Sequence, residues 1–404
     1  MKRVSVLAAL ALALCVGVPS VAAAPSRAGQ VVHASTAPAV SVVSYSADEL
    51  GDYVFFTGEV QNTYPLPVTA VVVHATAFDA AGKVVAEKDG LTFLLKLDPG
   101  ERAPLLAVLN HAGARYDLKV TGFAISHEGP NRNFTITTGS PTTDPDGTLH
   151  YPGTITNNNL EPAEVSIVAT YRDAAGKAVG SSLITVNDSD EIAAGASVPF
   201  ELKDEFPPEY VSIDLIPDGI GQATTGVAVD WVVVPPVIGS TMKLTGTAKP
   251  GDAITFEQYG ASGWAPIAGL DATADATTGD FTASCKVVGP AYVRAVSPSA
   301  KSPGIAILAA ASTTLKASAT SVKKGAKVTL SGTVKPATAG TVVTIQRKVG
   351  SKWTTLATAK LSASGAFTYA WVPKAAGTYV LRVTVPTTGL IQAGTSPSLT
   401  VKVK

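Results

Sequence analysis

One phrase in this chain occurs twice. Asp79-Ala80-Ala81-Gly82-Lys83 returns as Asp173-Ala174-Ala175-Gly176-Lys177, an offset of 94. Upstream of it, Gly58-Glu59-Val60-Gln61-Asn62 matches Gly153-Thr154-Ile155-Thr156-Asn157, an offset of 95. Downstream, Pro99-Gly100-Glu101 stands opposite Ala194-Gly195-Ala196 at the same offset. Three anchors in one order point to a duplicated folding unit. Between them, Val71, Val73, Ala75 and Ala77 share one face of a period-two pattern, as do Val165, Ile167, Ala169 and Tyr171. That period belongs to strands. Val72 and Phe78 make the opposite face apolar as well, so the first copy's strand is expected to be covered on both sides. The repeated phrase reads as a hairpin turn, because Asp bonds its own backbone and Gly takes positive φ without steric cost.

A second pair follows Pro235-Pro236, a dipeptide that resists strand pairing and marks a junction. Gly246-Thr247-Ala248-Lys249-Pro250 matches Gly332-Thr333-Val334-Lys335-Pro336. Phe256 to Trp264 aligns with Ile345 to Trp353, Gly279-Asp280-Phe281 with Gly365-Ala366-Phe367, and Tyr292-Val293 with Tyr379-Val380. Phe367, Tyr369 and Trp371 lie on one face of a strand and match Phe281, Ala283 and Cys285. Cys285 is thus expected in the place of a core aromatic. Val328 and Leu330 alternate with Lys327 and Thr329 as an inner face.

The first pair resembles the FxLYD-type domains, small extracytoplasmic β-sandwiches of bacteria. The resemblance rests on the Gly-x-Val/Ile-x-Asn opening, the Asp-x-x-Gly turn and Pro99-Gly100-Glu101. It covers roughly residues 38 to 232, and the second copy departs from it at Arg172 and Ala194-Gly195-Ala196. The last copy resembles the bacterial immunoglobulin-like domains of secreted Gram-positive proteins. Ser321-Val322-Lys323-Lys324-Gly325, Leu330-Ser331-Gly332-Thr333-Val334 and Gly377-Thr378-Tyr379-Val380-Leu381-Arg382-Val383 carry that resemblance. The third copy is a shorter relative. Neither resemblance implies catalytic residues. Together they imply an all-β chain: a tandem array of four immunoglobulin-like β-sandwiches at 38–128, 131–232, 237–310 and 313–404. Placed end to end, four such domains would reach on the order of 100 Å.

The array follows an export signal. Lys2 and Arg3 precede the apolar run Val4 to Val18, and Ala22-Ala23-Ala24 offers small residues for cleavage. Residues 1–28 read as signal and cleavage region, and 29–37 as a linker. Leu14 before Cys15 argues against lipidation. No second apolar run reaches membrane length, so no stable span is expected after cleavage. Cys285 is then the single remaining cysteine, which removes any intrachain disulfide and leaves each core to hold its own domain.

Chemistry is sparse. Lys and Arg total 31, as do Asp and Glu, a balance that leaves no basic field for nucleic acid. His33, His74, His111, His127 and His150 share no ligand spacing, and Gly129-Pro130 breaks the helix that a His-Glu motif at 127 would need. There is no Gly-x-Ser-x-Gly elbow or phosphate loop. Acids fall mainly in turns. Two acidic spots, at Asp144/Asp146 and Asp188/Asp190, supply only part of a calcium loop, so no metal or cofactor is expected. Cys285 on an apolar face reads as an inert thiol.

Aromatic and basic residues make the best case for binding. Trp264 and Trp353 fall at equivalent places after a hairpin turn, with Tyr259 in the loop before Trp264. Lysines crowd the last copy: Lys323, Lys324, Lys327, Lys335, Lys348, Lys352, Lys360, Lys402 and Lys404. Tyr259, Trp264, Trp353, Lys348 and Lys352 are the candidate ligand contacts, for a cell-wall polymer or carbohydrate. Against this stand edge-strand protection by lysine and aromatics that only cover a sandwich edge. The expected role is a secreted, non-enzymatic binding or spacer protein at the bacterial surface. The alternatives are a hydrolase with a site in the first two domains and a mechanical stalk. Oligomeric state is not legible.

Overall fold

The computed structural model describes residues 40–404 except Phe206 and Trp231. The export signal at 1–28, the linker at 29–37, Cys15 and His33 lie outside the described residues. Those residues form an all-β chain with a single 3-10 turn, Asn187–Ser189, and no α-helix. They divide into two compact units. The first takes in the described residues up to Asp230, with Gly246–Phe281 and Tyr292–Ala306; the second holds 232–245, Thr282–Ala291 and Ile307–Lys404.

The first unit opens with β1 (Val40–Leu50), β2 (Tyr53–Asn62), β3 (Val68–Phe78), β4 (Val84–Thr92), β5 (Lys96–Leu97), β6 (Arg102–Leu109) and β7 (Arg115–Ile125). They pair in the order β1-β2-β6-β4-β3-β5, with β7 also on β3. β4 links two layers by pairing β3 with one half and β6 with the other. Val71, Val73, Ala75 and Ala77 all point into the core. The opposite face of β3 is only half-covered: Phe78 lies under the Arg115 guanidinium at 3.9 Å.

The second copy follows as β8 (Phe134–Thr138), β9 (Thr142–Thr143), β10 (Leu149–Asn157), β11 (Val165–Arg172), β12 (Ala178–Thr185), β13 (Ser197–Asp204) and β14 (Ser212–Gly219). Here the layers separate into β13-β10-β8, with β9 beside β10, and β12-β11-β14. Ile155, Leu149 and Phe200 from one layer meet Val165, Ile167, Ala169 and Tyr171 from the other. Both copies of the repeated phrase form the expected hairpin. Asp79 Oδ1 accepts from the backbone N–H of Ala81 and Lys83, both at 2.9 Å, and Asp173 Oδ1 does the same for Ala175 and Lys177. Gly82 and Gly176 take φ of 81° and 75°.

The matched asparagines also have a physical reason. Asn62 is fully buried; its amide donates to the carbonyls of Leu66 and Leu97, and its Oδ1 accepts from Tyr64 N–H. Asn157 donates to Glu161 and Ile192 and accepts from Asn159 N–H. Each pins the loop after the second core strand to the turn before the next. The backbones of Asn62 and Asn157 complete the tie to Gly100/Glu101 and to Gly195/Ala196.

These two copies are not independently closed, which corrects the expectation that each core holds only its own domain. β2 is buried on both faces, with Phe55, Thr57 and Glu59 at 3%, 6% and 1% exposure on its outer side. β12 of the second copy packs across it. Val168, on the outward face of β11, joins the first copy's core, and Ile216 leans on the same cluster. Two sandwiches thus share apolar burial, so an end-to-end arrangement of these two does not hold.

The third stretch contains β15 (Val227–Val229), β16 (Thr241–Ala248), β17 (Ala253–Gly260), β18 (Gly263–Thr273), β19 (Asp280–Lys286), β20 (Ala291–Val296) and β21 (Ile305–Ile307). Sheet orders are β15-β16-β19 and β18-β17-β20-β21. The fourth contains β22 (Ala309–Ala310), β23 (Ser312–Thr313), β24 (Lys316–Ala317), β25 (Ser321–Val322), β26 (Val328–Lys335), β27 (Val342–Val349), β28 (Lys352–Lys360), β29 (Ala366–Trp371), β30 (Gly377–Val385), β31 (Ile391–Gln392), β32 (Gly394–Thr395) and β33 (Leu399–Val403). β22 pairs β31, β26 carries β23, β24 and β29, and the facing layer runs β25-β33-β30-β27-β28 with β32 beside β30. Val328, Leu330, Phe367 and Trp371 face Val343, Ile345, Leu381, Val383 and Val401 across this core.

Gly246 and Gly332 occupy one position in the two copies. A Cβ there would lie 2.5 Å from the Phe281 ring and 2.6 Å from the Phe367 ring, so the glycines make room for the core aromatics. The sequence pairing of Tyr292-Val293 with Tyr379-Val380 is one residue out. Phe256 pairs Ala295 and Glu257 pairs Arg294, whereas Ile345 pairs Val383 and Gln346 pairs Arg382. Tyr292 therefore corresponds to Val380, and the slip changes faces. Tyr379 turns onto Trp371, ring centroids 5.0 Å apart. Cys285 stands where Trp371 stands in the last copy, but it is half-exposed rather than buried. Partial burial pushes its thiol pKa up.

Candidate functional site

Two features stand out: a buried charge cluster inside the first unit and an exposed basic face in the second. The cluster gathers where three of the duplicated stretches meet. Arg132, in the segment between β7 and β8, is its centre. Its guanidinium donates to Glu101 Oε1 at 3.2 Å, Asp218 Oδ1 at 2.6 Å and the Lys96 carbonyl at 3.0 Å. The other oxygen of Asp218 accepts from Leu95 N–H at 2.8 Å. Glu101 in turn accepts from Asp98 N–H. Burial pushes the carboxyls of both Asp98 and Glu101 above the ordinary range, with Arg132 pulling the other way.

β17, β18 and β20 close this cluster from the third stretch. Tyr292 OH donates to Asp98 Oδ1 at 2.7 Å, and Tyr259 OH donates to the Pro99 carbonyl at 2.8 Å. Trp264 stands edge-on to Tyr259, centroids 5.4 Å apart, and 4.9 Å from Tyr292. The Arg294 guanidinium lies 4.2 Å over the Trp264 ring and is paired with Glu257 at 2.6 Å. Burial opposes the charge on Glu257, but Arg294 and Lys301 outweigh it and hold its pKa low. Tyr259 belongs to β17, paired with Trp264, and not to the loop expected there. Two of the candidate ligand contacts are thus committed to an internal junction.

A further ion pair ties the first two copies. Arg172 grips both carboxylate oxygens of Glu59, at 2.8 and 3.1 Å, and also pairs with Asp214. The Glu59 side chain is 2% exposed. Arg172 is a residue at which the second copy departs from the first, which has Phe78 there. Reading acids as turn residues missed Glu59, Asp98, Glu101 and Asp218.

The second feature repeats the stacked Trp–Arg pair of the first. In the last copy, Arg382 lies 4.1 Å over the Trp353 ring and donates to Gln346 Oε1 at 2.8 Å. Trp353 pairs with Lys348, which occupies the place of Tyr259. Trp353 is half-buried, and Lys348 and Lys352 are exposed. No Asp or Glu follows Asp280, and residues 313–404 carry eleven lysines and two arginines. All eleven lysines are exposed. The formal balance of the whole chain therefore hides a strongly basic last repeat and an acidic remainder, a polarity that a single net figure conceals.

The remaining motifs have ordinary partners. Asp144 and Asp146 shape a tight turn, with Asp146 Oδ1 accepting from Thr148 N–H and Asp144 beside His150. His74 sits between Glu87 and Asp89. Asp188 lies within the short 3-10 turn and Asp190 follows it, and both are exposed. Among the described residues no three His, Cys, Asp or Glu side chains converge as a metal site, and no helix is long and apolar enough to cross a membrane. A depression of about 250 Å³ is lined by Leu160, Val227, Thr247 and Lys249, and one of about 30 Å³ by Ala311, Val334 and Leu361; neither is lined by a carboxylate or histidine.

No family model matches the chain, and no curated protein matches it. Among solved structures, 90% of the chain aligns with 98% of a tetra-tandem repeat from the extending region of a large adhesion protein, at 15% identity and TM-score 0.21. The D00-D0 domain of intimin matches at 17% identity and TM-score 0.21, over 43% of this chain and 98% of its own. The human OSCAR ligand-binding domain matches at 16% identity and TM-score 0.19, over 43% and 97%. Scores this low carry no inference about function, and the all-β architecture stands on the chain's own sheets.

Proposed function

We propose that this is a secreted, non-enzymatic protein of the bacterial cell surface, an array of four sandwiches in which the last repeat binds an anionic wall polymer. The first three stretches act as a spacer and support. The observation that carries this reading is the run of residues 281–404 without a single acidic side chain, set against exposed lysines throughout 313–404. Unpaired cations of this density attract polyanions and release their counterions, so the interaction must weaken with salt. Trp353 and Lys348 serve as contacts in this reading, while Lys352, paired with Val349, lies on the other side of the strand pair. Tyr259 and Trp264 serve the support, because their hydroxyl and ring contacts are already taken.

The test is retention of the purified full chain on isolated cell-wall material. Retention at low ionic strength that fades by about 0.5 M salt, with no sugar released, is the expected outcome. Absence of retention favours the mechanical stalk. Release of reducing sugar favours a hydrolase.

A further inference from the structure

Resting on that reading, we infer that the outward face of the β28-β27-β30-β33 layer is the binding surface, and that its ligand is a linear phosphodiester polymer. In the strand registers, Gln346 pairs with Thr355 and Arg382, Thr344 with Thr358 and Thr384, Val342 with Lys360, and Thr378 with Lys402. The inner positions of these strands, Val343, Ile345, Leu381, Val383 and Val401, fill the core. Alternation therefore places Lys348, Lys360, Arg382 and Lys402 together on the outer side, among threonine hydroxyls.

The chain itself shows what such a face recognises. In the third stretch the same stacked Trp–Arg pair is closed over an acidic turn, with Tyr292 on Asp98 and Tyr259 on the Pro99 carbonyl. In the last repeat two changes open the equivalent face. Lys348 replaces Tyr259, and neutral Gln346 replaces Glu257. Arg294 is paired with its carboxylate; Arg382, in the same place, donates to the neutral amide oxygen of Gln346.

Spacing selects the ligand's form. Lys348 and Lys402 lie two strand spacings apart, on the order of 10 Å, and Lys360 lies about 20 Å from Lys348 along the ladder. No single small anion spans such distances, but a chain with regularly repeated charges does. Lysine acts as a point charge that suits phosphate oxygens from any direction. The surrounding threonines offer hydroxyls to the polyol or sugar between phosphates.

The experiment compares the full chain with two charge-matched variants, on poly(glycerol phosphate) and on neutral dextran. K348Q/K360Q/K402Q alters the proposed face; K316Q/K327Q/K335Q alters the opposite layer. The expected result is roughly tenfold weaker binding to poly(glycerol phosphate) for the first variant, near wild-type binding for the second, and none to dextran. Equal loss in both variants, or loss only in the second, overturns the face while leaving the wall-polymer reading intact. Failure of the unaltered chain to bind poly(glycerol phosphate) while it is retained on wall material overturns the phosphodiester assignment alone. Failure on both removes the functional reading as well. Equal affinity for duplex DNA, or a salt-reversible dimer abolished by the first variant, assigns the face to another occupant and overturns the proposal.

Discussion

Replacing Arg132 by methionine is expected to lower the unfolding free energy of the first unit by roughly 3–5 kcal/mol, as chemical denaturation will measure. The loss comes from what is left behind. Asp218 is 5% exposed and Glu101 20%, and both would face the gap without their cation. Removing one partner of a buried pair strands the other charge, and that penalty exceeds the net value of the pair itself. The deficit should shrink on acidification. Burial already raises the carboxyls of Asp98 and Glu101 above the ordinary range. A carboxyl raised on folding contributes its stabilising share below its unfolded pKa and loses it as pH rises through the folded value. Without Arg132 these values rise further. The variant should therefore approach wild type near pH 4.5 and fall furthest behind at pH 7.5. A deficit independent of pH would show that packing, and not stranded charge, sets the cost.

The second large effect belongs to Arg172. Arg172→Ala leaves Glu59 with only Arg102, 3.8 Å away and half-exposed. A loss of about 3–4 kcal/mol is expected. The informative partners are Glu59→Gln and the double variant Glu59→Gln/Arg172→Ala. Because the double variant removes both charges from a buried site, it should recover most of the loss, and the cycle should return a coupling of more than about 2 kcal/mol. Additive single effects would mean that the ion pair does not join the two sandwiches. The first two copies also share Val168 with one core. They should accordingly unfold in one transition in the wild type, where separate beads would give two.

The strands, the hairpin phrase and the matched asparagines were legible because they depend on local rules. Alternation sets which side of a strand is buried, and Asp-x-x-Gly sets a turn, whatever surrounds them. The junctions were not legible, because their residues lie far apart in sequence and follow no period. Nothing near Arg132 in the chain announces Glu101 or Asp218. Arg172 did leave a trace, as a charged residue where its sister copy has Phe78. Its partner Glu59 sits within the very phrase that aligned the copies, but at the position that alignment treated as variable. The slip at Tyr292 has a similar origin. A shared Tyr-Val dipeptide outweighed the alternation around it, and only the ladder shows which tyrosine faces in.

The candidate contacts divided for the same reason. Trp264 and Trp353 were correctly placed as equivalents, each carrying an arginine on its ring. Their fates differ through neighbours that repeat comparison does not see: Tyr259 and Tyr292 meet Asp98 and Pro99, while Lys348 and Val380 meet nothing comparable in their own repeat. The whole-chain charge balance concealed the basic repeat, which appears only when the acids are located along the chain and found to stop at Asp280.

Lysine acetylation footprinting of the unaltered full chain, with and without isolated wall polymer, tests most directly whether the acid-free repeat is where this protein holds its ligand. Slowed modification of Lys348, Lys360 and Lys402, with Lys83, Lys119 and Lys203 reacting as before, is the outcome expected here. Protection confined to lysines of the first unit, or unchanged reactivity everywhere despite bound polymer, would contradict it.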